Sequence, residues 1–144
     1  MPGFQAPHGG TIPPHILVTN LRPDVFIVDE TKREVVLFEL TCPWDTNVAR
    51  MHAFKEDKYA PLVADLSHNF TVFNFSVEVL ARGQITKENR ARLREFAFRC
   101  CSNSRKMTGL LVTKCSKAAL LGSYSIFSAR KEPAWANPRP LVIR

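Results

Sequence analysis

Apolar residues along the chain fall first into three short clusters. Residues 15–19 (HILVT), 24–29 (DVFIVD) and 34–41 (EVVLFELT) are rich in β-branched and aromatic side chains and are bounded by polar or Pro-containing breaks, the pattern of β-strands. The break Glu30-Thr31-Lys32-Arg33 is the length of a four-residue hairpin loop, so the second and third clusters are expected to pair antiparallel. Pro43 then rules out a continuing central strand, and Asp45, Thr46 or Asn47 can cap a helix starting at about Val48. Val48, Met51, Phe54, Leu62, Val63 and Leu66 mark its expected buried side, and Pro61 is expected to end or kink it. Residues 69–80 (NFTVFNFSVEVL) alternate as a fourth strand. Thr86 caps a helical stretch with Leu93, Phe96 and Phe98 inward, and a last helix is expected from near Ser104, carrying Leu110, Leu111, Val112, Ala118, Leu120 and Leu121. The order strand, strand, strand, helix, strand, helix, helix is α/β, with an antiparallel meander feeding a helical crossover.

Composition bounds this picture. A chain of 144 residues with 45% hydrophobic and 23% charged residues suits one domain with one core and is too apolar for a disordered chain. Residues 1–14, rich in Pro and Gly, read as a flexible leader, residues 15–131 as the domain, and residues 132–144 as a Pro-containing tail. No apolar run has the roughly 20 residues that cross a bilayer, and the first residues lack a signal-peptide layout, so an intracellular or nuclear location without membrane insertion is expected. Cys42, Cys100, Cys101 and Cys115 show no C-x2-C spacing and read as packed or free thiols.

Charge divides the chain. Residues 1–81 carry six Lys/Arg against ten Asp/Glu, a net −4, whereas residues 82–144 carry fourteen against three, a net +11. A segment so basic attracts polyanions, nucleic acid first and anionic membrane second; the competing reading is a solvated helix face. Carboxylate chemistry has to come from the acidic half.

Centring the hairpin loop between Thr31 and Lys32 sets Asp29 against Glu34, Val28 against Val35, Phe26 against Leu37, and Asp24 against Glu39 at the open end. Side chains alternate along a strand, so Asp24, Phe26, Val28, Val35, Leu37, Glu39 and Thr41 share one face. Two carboxylates opposed across strands repel, and a divalent cation such as Mg²⁺ would offset that repulsion while leaving coordination positions for water and phosphate oxygens. In the competing readings, one acid turns to solvent or finds a cation such as Arg22, or a one-residue slip parts the pair. Lys55 and Lys58, three apart on the following helix, are candidates to balance charge and position water; alternatively they pair with Glu56 or Asp57. Glu78 is either a third acid or an exposed strand residue.

These residues also carry a family resemblance. The stretches Leu21-Arg22-Pro23-Asp24, Phe38-Glu39-Leu40-Thr41-Cys42-Pro43-Trp44-Asp45-Thr46-Asn47, Lys55-Glu56-Asp57-Lys58-Tyr59-Ala60-Pro61-Leu62, Val77-Glu78-Val79 and Ala81-Arg82-Gly83 resemble the restriction-like endonuclease domain of site-specific non-LTR retrotransposons, in the PD-(D/E)XK nuclease superfamily. The resemblance is good from about Arg22 to Gly83 and weaker beyond. It implies a restriction-endonuclease-like core with a mixed central sheet flanked by helices, and Asp24 and Glu39 as ligands of Mg²⁺ or Mn²⁺. Where the superfamily usually places a lysine two residues after the second acid, this chain has Thr41. The retroelement branch supplies that lysine from the next helix, in a K-x-x-K-Y arrangement matched by Lys55, Lys58 and Tyr59. Thr41, Tyr59 and Glu78 are the accessory positions.

The function implied is a metal-dependent DNA endonuclease that nicks one strand and leaves a 3′-hydroxyl. Arg22, Arg82, Arg90, Arg92, Arg94 and Arg99 would meet DNA phosphates. Such domains often work as pairs, which makes a homodimer an expected partner, although no stripe of residues identifies its face. Two other readings stand beside this one: a DNA-binding module on the same fold without turnover, favoured by Thr41, and a basic α/β domain that binds protein or membrane.

Overall fold

The computed structural model describes residues 10–130. It is a mixed α/β fold of strands β1 (Val25–Asp29), β2 (Glu34–Thr41) and β3 (Thr71–Glu78) with helices α1 (Val48–Ser67), α2 (Lys87–Cys100) and α3 (Ser104–Ala129). The strand order is β1-β2-β3, with β1 antiparallel and β3 parallel to β2. Most of the expected leader and all of the Pro-containing tail lie outside the described residues.

The hairpin has the register anticipated from its loop: Asp29 opposes Glu34, Val28 opposes Val35 and Phe26 opposes Leu37. Asp29 Oδ1 accepts from the Lys32 backbone N–H at 3.0 Å, which closes the loop, and Arg33 takes φ 55 to turn the chain into β2. The strand expected at residues 15–19 does not form. Pro13 and Pro14 begin a helical turn instead, in which the Pro13 carbonyl accepts from Ile16 N at 2.9 Å and Leu17 N at 3.2 Å. Ile16 and Leu17 then pack on the core from a loop, so the meander reduces to one hairpin. Ile12, in the segment read as leader, is itself buried in that core.

Two apolar clusters, one on each face of the sheet, make three layers. Phe26, Val28, Val35 and Leu37 meet Tyr59, Leu62 and Leu66 of α1. On the other face Val36, Phe38, Phe75 and Val77 meet Leu93 of α2, with Leu111, Val112, Cys115 and Ala119 of α3 packed alongside. Thr86 caps α2 by accepting from Asn89 N, as anticipated. Near-continuous burial along β2 follows from its central position between the two layers.

Three helical expectations change. α1 continues through Pro61, because burial of Tyr59, Leu62 and Leu66 outweighs the one hydrogen bond that proline removes on an exposed face. Phe98 is 72% exposed rather than inward, since Leu93 and Ala97 define the buried side of α2. No residue of α3 is fully buried, and Leu110, Leu120 and Leu121 are exposed, because that helix docks mainly against α2 through its Leu111, Val112, Cys115 and Ala119 face.

Candidate functional site

Just beyond the paired part of the hairpin, Asp24 and Glu39 are tied together by a reciprocal exchange. The Asp24 backbone N–H donates to Glu39 Oε2 at 3.0 Å, and the Leu40 backbone N–H donates to Asp24 Oδ2 at 2.8 Å. Each carboxylate thus fixes the other's strand, holding two acids together at the sheet's open end. Asp24 is exposed, whereas Glu39 is 5% exposed. Arg22 does not take up either acid; its backbone carbonyl accepts from the Tyr59 hydroxyl at 3.0 Å.

The parallel pairing of β2 and β3 extends the polar row. Residues paired across a sheet point to the same face, so Ser76 beside Glu39 and Glu78 beside Thr41 lie on the face covered by α1. Above this row α1 turns polar side chains inward. His52, Lys55 and Tyr59 stand at i, i+3 and i+7 and so share one side of the helix. Lys55 Nζ binds Glu39 Oε1, with the lysine side chain 15% exposed. His52 Nδ1 meets Glu78 Oε1 at 2.9 Å. Phe54, expected to face inward, is instead exposed. His52, Lys55, Tyr59, Leu62 and Leu66 form the side of α1 that meets the sheet, and position 54 lies about 100° round the helix axis from position 55.

Lys58 behaves differently from Lys55. It is exposed, donates to the Tyr59 hydroxyl at 3.2 Å and lies 4.8 Å from the centre of that ring. The Tyr59 phenol is pushed up to about 12 by burial first and by the neighbouring Glu39 carboxylate second. It remains a neutral hydrogen-bond donor and is unsuited to act as a base at ordinary pH.

Glu78 is 1% exposed, not an exposed strand residue. Besides His52 it receives Arg92 Nη1 at 3.4 Å, and its backbone N–H donates to Asn89 Oδ1 at 3.2 Å. Arg92 also donates to Asn89 Oδ1 at 3.0 Å. β3 is an edge strand, which lets these α2 side chains reach round to the α1 side. Sequence reasoning placed Arg92 among the phosphate contacts and missed His52 and Asn89. The available signal was the spacing of His52 to Lys55 and Tyr59, a helical face carrying polar rather than apolar groups.

Among the remaining arginines, Arg82 pairs with Asp45 at the surface, while Arg99 pairs with Glu95 at 3.4 Å and stacks 3.5 Å from the centre of the Phe73 ring. Arg90 and Arg94 are exposed on α2. Thr41 ends β2, and its backbone carbonyl accepts from Val79 N at 2.9 Å.

Compared with protein-family models, curated proteins and solved structures, the chain matches none of them. Among the described residues no helix is long and apolar enough to cross a membrane.

Proposed function

We propose that the chain is a divalent-metal-dependent endodeoxyribonuclease on a restriction-endonuclease-like, PD-(D/E)XK core, nicking one DNA strand to leave a 3′-hydroxyl. The observation that carries this reading is the juxtaposition of Asp24, Glu39 and Lys55: two cross-braced acids at a strand end and one lysine delivered by the next helix.

The donor set fits Mg²⁺ or Mn²⁺. Asp24 Oδ2 and Glu39 Oε2 each accept a backbone N–H, which fixes both carboxylates, and exposure of Asp24 leaves its other oxygen open to solvent. Among the described residues no three His, Cys, Asp or Glu side chains gather as ligands. A two-carboxylate site is the kind that leaves the remaining positions to water and substrate oxygens. When bound there, such an ion supplies activation of water and neutralisation of charge on the phosphoryl group. Asp24 and Glu39 would hold it. Lys55 would then have two further N–H donors for water or a phosphate oxygen while one remains on Glu39. Tyr59, held neutral, braces the Arg22 backbone just before Asp24. Lys58, set off against the Tyr59 ring, supports this role less well than Lys55.

Supercoiled plasmid incubated with Mg²⁺ or Mn²⁺ tests the reading. Wild type is expected to give nicked circles, with Asp24→Ala, Glu39→Ala and Lys55→Ala each reducing nicking by at least a hundredfold. Equal nicking by wild type and the two acid variants would reject it. A second reading, a DNA-binding module without turnover, draws on Thr41 at the usual lysine position and on Lys55 already neutralising Glu39. Salt-dependent DNA binding by a wild-type chain that nicks with neither ion would favour it.

A further inference from the structure

The arginines of α2 divide into two sets. Arg92 and Arg99 are engaged, by Glu78 and Asn89 in one case and by Glu95 and the Phe73 ring in the other. Lys87, Arg90 and Arg94 make no ion pair among the described residues and lie with Phe98 at i, i+3, i+7 and i+11, one face of the helix spanning about 16 Å along its axis. Two cavities meet along this face. One, of about 380 Å³, is lined by Lys87, Arg90, Ala91, Arg94 and Thr108; the other, of about 550 Å³, shares Ala91 and Arg94 and extends to Phe98. The acid beside the second cavity, Glu95, is already held by Arg99, and α3 on the far wall carries Arg105, Lys106, Lys114 and Lys117 with no Asp or Glu.

An exposed aromatic at the end of a row of unpaired cations has no role in the packing of this fold. It is the combination that single-stranded nucleic acid binds, with phosphates along the cations and a base stacked on the ring. We infer that the groove between α2 and α3 is a single-strand subsite, in which Lys87, Arg90 and Arg94 track the backbone and Phe98 stacks an unpaired base. Duplex DNA uses the cations but has no free base for the ring, so the groove prefers single strands. The end of α2 bearing Lys87 follows β3 after the loop 79–86, and its first turn touches Glu78 through Asn89, so the row starts at the end of the sheet that carries Asp24 and Glu39. The inference rests on the nuclease reading only for the identity of the strand as DNA.

The test is fluorescence anisotropy of the full chain with a labelled single-stranded oligonucleotide and with its duplex, over a salt series. Arg90→Ala/Arg94→Ala is expected to lower the slope of log affinity against log salt by about 1.4 on the single strand. Phe98→Leu is expected to weaken single-strand binding about 5- to 150-fold with the slope unchanged, and Phe98→Trp to retain it. All three side chains are exposed, so these substitutions leave the fold intact. An unchanged slope in the double variant, or unchanged single-strand affinity in Phe98→Leu, overturns the inference. Normal binding by the groove variants alongside Asp24-dependent nicking would remove the subsite and leave the nuclease reading standing. Loss of single-strand binding by the groove variants of a chain that nicks nothing would do the reverse.

Discussion

Glu78 offers the sharpest test of how the polar row is held together. Its carboxylate is almost wholly buried, whereas the side chains of its partners Arg92 and His52 are 36% and 28% exposed. Replacing Glu78 with Gln keeps the volume and removes the charge, and the two partly exposed partners can turn to water. Exchanging charged for neutral hydrogen bonds under those conditions costs about 1–2 kcal/mol. Replacing Arg92 with Ala instead leaves a buried anion with His52 as its one side-chain partner, and uncompensated buried charges cost about 3–5 kcal/mol. The more exposed residue is therefore the more damaging one to remove. In urea, with a slope of about 2 kcal/mol per molar, the midpoint should fall by roughly 0.5–1 M for Glu78→Gln and about 1.5–2.5 M for Arg92→Ala. Both variants stay folded in water if the parent's stability exceeds about 6 kcal/mol, within the ordinary range of about 5–15 kcal/mol. Combining them removes the charge that Arg92 was balancing, so the double variant should be less damaged than the two single effects added together. Equal midpoints for the two single variants, a larger loss in Glu78→Gln, or strict additivity would refute this account of Glu78.

Two further outcomes follow from side-chain environments. The buried Tyr59 phenol, raised from 10.0 to about 12, favours its neutral form in the fold; its contribution to stability is fully present below pH 10 and is lost as pH rises through about 12. Alkaline difference absorbance of wild type against Tyr59→Phe should therefore show a phenol ionising near 12, and one ionising near 10 would contradict the packing. Burial pushes the Cys100 thiol up to about 11 and raises Cys115 as well, whereas Cys42 is exposed. A thiol reagent at pH 8 should accordingly modify Cys42 at least tenfold faster than Cys100, and equal rates would show that α2 does not seat Cys100 as described.

Local pattern alone determined the hairpin, its register and the approach of Asp24 to Glu39, because loop length sets register and strand alternation has a period of two. It also located the start of α1 and the cap of α2, since both depend on residues adjacent in sequence. What it misread depended on neighbours distant along the chain. His15–Thr19 has strand composition but follows two prolines that start a turn, and Phe54 looks inward until Lys55, Tyr59, Leu62 and Leu66 are known to form the side of α1 that meets the sheet. The parallel placement of β3 beside β2 brought Glu78 into the acidic row. Packing across the edge of that strand then engaged Arg92 and left Arg90 and Arg94 exposed, although all three arginines look alike in the sequence. An ion pair requires two groups within a few ångströms, and for groups far apart in the chain that proximity is created by tertiary packing.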